Sequence, residues 1–117
     1  MKLEIRAIWS ASLIPPSEAY PQDRNDFEVP LQVSIGEIGK IGAELFNLTV
    51  YSPSYLARLE SGRFLNGALV LDKFDWNIIR ARIEKLLAHT NSCKDWKCVI
   101  YKLHGCLNYA DRELEKL

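Results

Sequence analysis

Phe27, Val29, Leu31, Val33 and Ile35 fall on strict alternation, with Glu28, Gln32 and Ser34 between them. A period of two predicts a strand with one buried face. Pro30 lies on the wet face and has no N–H, which predicts an edge position or a bulge there. Phe46, Leu48 and Val50 repeat the pattern, with Asn47, Thr49 and Tyr51 opposite. Gly36, Gly39 and Gly42 lie between the two rows and supply turn conformations that other residues resist. The two rows therefore form a β-hairpin with a long loop. Near the start, Leu3, Ile5 and Ala7 alternate with Glu4 and Arg6, a strand ended by Pro15-Pro16. Gly67 to Leu71 reads as a short apolar strand.

Elsewhere the period is helical. Ser52-Pro53 is a helix start, because serine caps and proline suits the first turn. Leu56 and Leu59 would face the core, and Gly62 would end that helix. Asp75 is a good cap for a stripe of Trp76, Ile79, Ile83, Leu86 and Leu87. Ser92 and Asp95 have capping-box spacing, with aspartate in place of glutamate. Trp96, Val99, Ile100, Leu103 and Leu107 form the last stripe. Strands come first and helices after. This order predicts an α+β fold: an antiparallel sheet of about four strands, two C-terminal helices packed on one face, and a short helix between strands. No repeat, low-complexity run or linker interrupts residues 1–117, so one domain is expected.

Composition narrows the function classes. The chain is 48% hydrophobic and 26% charged, which argues against disorder. Fifteen bases balance fifteen acids, so no global field draws the chain to nucleic acid or an anionic membrane. The charges are unevenly placed. Residues 1–75 hold ten acids against seven bases, and residues 76–117 hold eight bases against five acids. An acidic sheet side and a basic helical side are expected. No apolar run approaches the roughly 20 residues that span a bilayer. Met1 to Arg6 alternates charge with apolar residues, unlike a signal peptide. Three cysteines, an odd number, suit a reducing compartment, so the expectation is cytoplasmic.

No catalytic constellation stands out. The three glycines precede a strand, and no Lys-Ser or Lys-Thr follows, so they match neither phosphate-binding fingerprint. Cys93, Cys98, His104 and Cys106 lack the paired spacing of zinc ligands, and Cys93 and Cys98 read as buried or incidental thiols. His104 and Cys106 are the residues a small thiol enzyme would use. His89 and His104 fall late in their helices, where a cation suits the dipole. No cofactor and no metal is expected. Arg80, Arg82, Lys85, Lys94, Lys97 and Lys102 make a basic set with Trp96 and Tyr101 among them. That set supports an alternative reading, a small nucleic-acid-binding regulator. Glu84, Asp95 and the zero net charge weigh against it.

The polar segment Ser17 to Asp26 reads as a surface loop long enough to carry function. Acids gather on this loop and on the hairpin: Glu18, Asp23, Asp26, Glu28, Glu37 and Glu44. Such a set suits docking of a basic partner, where complementary charge speeds association and fixes register.

The signals together resemble the immunity protein 8 family of bacterial polymorphic toxin and contact-dependent growth inhibition systems. The residues that carry the resemblance are Val33-Ser34-Ile35-Gly36 with the following glycines, Phe46 to Val50, and Ser52-Pro53-Ser54-Tyr55-Leu56. Leu69 to Leu71, Phe74-Asp75-Trp76, the apolar helix after it, and Cys93 to Trp96 continue it. It covers roughly residues 27–105 and is mostly structural. Leu107-Asn108-Tyr109-Ala110-Asp111 stands where an aromatic-acidic segment would be expected. The resemblance implies a non-enzymatic cytoplasmic antitoxin that occludes a cognate toxin C-terminal domain, with a nuclease as one plausible target. The partner-facing candidates are Tyr20, Asp23, Asp26, Glu28, Glu37, Glu44, Tyr51, Tyr109 and Asp111.

Overall fold

A computed structural model describes residues 1–15, 18–59 and 61–110. Five strands and three helices follow one another as β1 (Leu3–Trp9), β2 (Glu28–Glu37), β3 (Glu44–Tyr51), α1 (Pro53–Ala57), β4 (Ala68–Val70), α2 (Trp76–Ala88), α3 (Trp96–Leu103) and β5 (Asn108–Tyr109). The fold is α+β, with a mostly antiparallel sheet. Its spatial order is β1-β2-β3-β4, and β5 pairs with β3.

β2 and β3 form the long hairpin, in register from Glu28 opposite Tyr51 to Ile35 opposite Glu44. Val29, Leu31, Val33, Ile35, Phe46, Leu48 and Val50 all point to one face and are buried. α2 adds Trp76, Ile79, Ile83 and Leu87 to the same core, and α3 adds Val99 and Leu103. Burying a large aliphatic or aromatic side chain contributes about 1.5–3 kcal/mol, so this two-layer core is the main source of stability.

Several expectations are corrected. β4 runs parallel to β3, so the sheet is mixed. The 16 residues between Tyr51 and Ala68, including α1, provide the crossover that a parallel pair needs. β5 is a fifth strand of two residues, set by Asn108 opposite Asn47 and Tyr109 opposite Phe46. β1 stops at Trp9, ahead of Pro15, and does not keep one phase. Its register shifts between Ile5 and Ala7, leaving Arg6 as the extra residue. Past this bulge Ile8 turns into the core, while Ala7 is exposed. Pro30 lies beyond the reach of β1, which pairs only as far as Gln32.

α1 is a single turn that ends at Ala57 with Arg58 as its cap, well before Gly62. Leu56 and Leu59 are only half-buried. Asp95 alone caps α3, its carboxylate accepting from the Cys98 N–H at 2.9 Å. Ser92 instead accepts a hydrogen bond from Lys102 at 3.0 Å. Cys93 and Cys98 form a disulfide rather than standing as thiols; the turn before α3 brings their Cα atoms to 5.5 Å. Gly39 and Gly42 adopt positive φ in the hairpin loop, whereas Gly36 lies inside β2.

Candidate functional surface

The segment from Ala19 to Glu28 is held at one end of the sheet by four attachments. Phe74 is fully buried and packs edge-on against Tyr20, Phe27 and Trp76, with ring centroids 6.1, 5.4 and 5.0 Å away. Edge-to-face pairs add about 0.5–1.5 kcal/mol each beyond their burial. Trp76 Nε1 donates to Ala19 O at 2.7 Å. Arg24 donates through Nε and Nη2 to Phe74 O at 3.2 and 2.9 Å. The Phe74 N–H returns a bond to Arg24 O at 2.8 Å.

The fourth attachment comes from α1. Ser52 is fully buried, and its Oγ accepts from both the Phe27 N–H at 2.9 Å and the Tyr55 N–H at 3.2 Å. Ser54 Oγ lies 2.9 Å from Asn25 O and 3.1 Å from Asp26 Oδ1. The Ser52-Pro53-Ser54-Tyr55 run therefore does more than start a helix. It stitches that helix to the acidic loop.

A surface cleft of about 380 Å³ results, lined by Asp23, Asp26, Glu28, Tyr55 and Arg58 among others. Three acids face one cation. Arg58 Nη1 lies 2.7 Å from each carboxylate oxygen of Asp26. This hydrogen bonding from Arg58 holds the Asp26 carboxyl below its ordinary 3.8, against a smaller opposing effect of burial. The Glu28 carboxylate accepts from Tyr55, and together with its charge this pushes the Tyr55 phenol above its ordinary 10.0. Asp23 Oδ1 accepts the Asn25 N–H at 2.9 Å. Tyr20 is 47% exposed at the margin, with the Arg24 guanidinium 4.1 Å above its ring.

Glu37 and Glu44 lie elsewhere. They stand at the far end of the hairpin, nine residues along β2 from Glu28, a span of about 30 Å. Glu37 pairs with Lys40 at 2.9 Å, and Glu44 accepts from the Tyr109 hydroxyl at 2.8 Å. The candidate acids thus form two groups rather than one patch. Tyr51 is 8% exposed, covered by Tyr55 with ring centroids 6.0 Å apart, so it is buried although it lies on the face of β3 opposite Val50. Asp111 lies outside the described residues.

Sequence reasoning missed Tyr55 and Arg58 as members of this surface. Their i, i+3 spacing on one turn was the available signal. The basic set is also divided. Arg82 and Lys85 border a slot beside β4, whereas Arg80 borders a cleft beside β1 with Glu4 and Glu84. Among the described residues no three His, Cys, Asp or Glu side chains gather as a metal site. No helix among them is long and apolar enough to cross a membrane.

The family model for immunity protein 8 matches residues 3–112. The chain belongs to that family. Comparison with curated proteins and with solved structures returned no match. The immunity protein 8 match extends past the resemblance read from the sequence in both directions. It takes in β1 with its bulge and also β5, the short strand that replaces the expected aromatic-acidic segment. An immunity family implies a cognate toxin as partner and toxin neutralisation as the role.

Proposed function

We propose that this chain neutralises a cognate toxin C-terminal domain in the cytoplasm by stoichiometric binding, without catalysis of its own. Membership of the immunity family carries this reading. The surface just described supports a location for the contact. Tyr20 and Asp23, on a loop fixed by buried aromatic packing and not left to order on binding, stand at one end of the sheet with Glu28, the first residue of β2. Pre-ordering removes part of the cost of association. Tyrosines beside acids supply anchors for a basic cleft, which a nuclease toxin would present to its substrate. Asp26 contributes less charge than the sequence suggests, because Arg58 already occupies it.

The contact would belong to a polymorphic toxin or contact-dependent inhibition system. In a reducing cytoplasm the Cys93–Cys98 pair would be held as adjacent thiols.

The test is co-expression with candidate toxin C-terminal domains, first any encoded by a neighbouring gene, scoring growth and co-purification. Rescue with a one-to-one complex is expected. Reversing Asp23 and Glu28 to lysine should weaken the complex while the fold survives. Unchanged affinity would remove this end of the sheet from the interface, and absence of both rescue and binding would remove the immunity role.

A further inference from the structure

A slot of about 280 Å³ opens between α2, the β3–β4 side of the sheet and the turn after α3. Its floor is aliphatic, built from Leu48, Leu69, Ile83, Leu86 and Leu107. Its rim is cationic. Arg82 and Lys85 come from α2, and His89 caps that helix. Among the described residues no carboxylate lines it. Among the described residues neither Arg82 nor Lys85 belongs to an ion pair, so both charges are available to a ligand. The volume lies near the lower bound of roughly 300 Å³ for ligand clefts, and an apolar floor with a few convergent polar groups is their usual make-up.

We propose that this slot binds a medium-length aliphatic carboxylate, with its chain on the leucine floor and its head group between Arg82 and Lys85. The floor carries no polar side chain for a sugar or a second carboxylate, which would be buried there unpaired. The head group belongs at Arg82 and Lys85, the two long cationic side chains that α2 places on the rim. The guanidinium fork and the ammonium, three residues apart on one helix, both donate to a carboxylate. This inference is independent of toxin binding. The exposed free thiol of Cys106 borders the same slot and reports its occupancy.

The experiment titrates the full chain with octanoate by calorimetry, with octan-1-ol as the uncharged counterpart. In parallel, iodoacetamide alkylation of Cys106 is followed by mass. One saturable site is expected, with octanoate favoured over octanol by about tenfold or more, as one charge-assisted contact supplies. Bound octanoate slows Cys106 alkylation. Arg82→Gln with Lys85→Gln erases the preference at unchanged Tm, and Leu86→Trp fills the floor and removes both ligands. The Cys106 measurement on the unsubstituted protein decides the matter if Leu86→Trp does not fold. No saturable binding, or equal binding of the two ligands, overturns the proposal. So does a result in which Leu86→Trp weakens the toxin complex while octanoate leaves Cys106 unprotected; the slot then belongs to the protein interface.

Discussion

The Arg6 guanidinium occupies the space that a side chain at Gly36 would need. A Cβ at position 36 would meet Arg6 Nε at 2.5 Å and Cζ at 2.8 Å. From that position Arg6 Nη2 donates to Glu37 O at 2.8 Å and Lys40 O at 2.6 Å, bracing the turn that presents Ile38 and Ile41 to solvent. Arg6 is the extra residue of the β1 bulge, so the bulge, the glycine and the brace are one arrangement. Gly36→Ala should displace the guanidinium and cost about 1–2 kcal/mol, of the order of the hydrogen bonds lost. Arg6→Ala should cost a similar amount. The double variant should cost clearly less than the two together, because both remove the same contacts. Denaturant unfolding of the three variants checks this.

The ion pair of Asp26 and Arg58 predicts a pH response with a definite sign. The folded carboxyl titrates below 3.8 and the unfolded one at that value. The pair's contribution is therefore fully present above pH 3.8 and is lost as pH falls through the folded value. In Arg58→Gln the Asp26 carboxyl should titrate higher than in the parent. An NMR titration of that carboxyl reads the difference directly, and no upward change would contradict the pairing.

The sequence made the long hairpin and both C-terminal helices legible because their apolar positions repeat over several turns or pleats. Val29 to Ile35, and Trp76 through Leu87, needed no tertiary information. The bulge at Arg6 was hidden, since Leu3, Ile5 and Ala7 alternate without interruption and only pairing with β2 reveals the slip. β4 could be read as a strand, but nothing local fixes its direction. β5 exists only because Phe46 and Asn47 offer it an edge. The candidate site was half legible. Asp23 and Glu28 can be picked out as acids, but Arg58 becomes their neighbour only through the Ser52 and Ser54 stitches. Tyr51 sits at a nominally wet position, and Tyr55 folds over it.

Trp76 and Phe74 carry separable roles in holding the 19–28 segment. Phe74→Ala removes a fully buried ring with three aromatic neighbours and should cost about 3–5 kcal/mol. Trp76→Phe keeps most of the ring packing but deletes the bond to Ala19 O, for about 1–2 kcal/mol. Thermal unfolding gives the stability difference. Hydrogen exchange should show faster exchange around Ala19 to Asp23 in Trp76→Phe, while the β2 and β3 amides stay protected.

The Cys93–Cys98 bond closes a short loop, so its contribution is small. Chain-entropy reasoning gives about 2 kcal/mol for a loop of this length. Cys93→Ser with Cys98→Ser should lower stability by about that amount at most and leave the fold intact. The Met1 ammonium, which donates to Cys93 O at 2.6 Å and to Asn91 O at 3.1 Å, ties β1 to this turn. N-terminal acetylation of the parent should therefore shift the Cys93 backbone resonances, detectable by comparing amide spectra.

The central claim is tested most directly by titrating the purified toxin domain with this chain and following residual toxin activity. The account predicts a linear fall that reaches zero at one equivalent, with no loss of covalent integrity in either protein. Inhibition that is complete at a small fraction of an equivalent would show turnover and contradict stoichiometric occlusion. Full activity at several equivalents would contradict neutralisation of that toxin altogether.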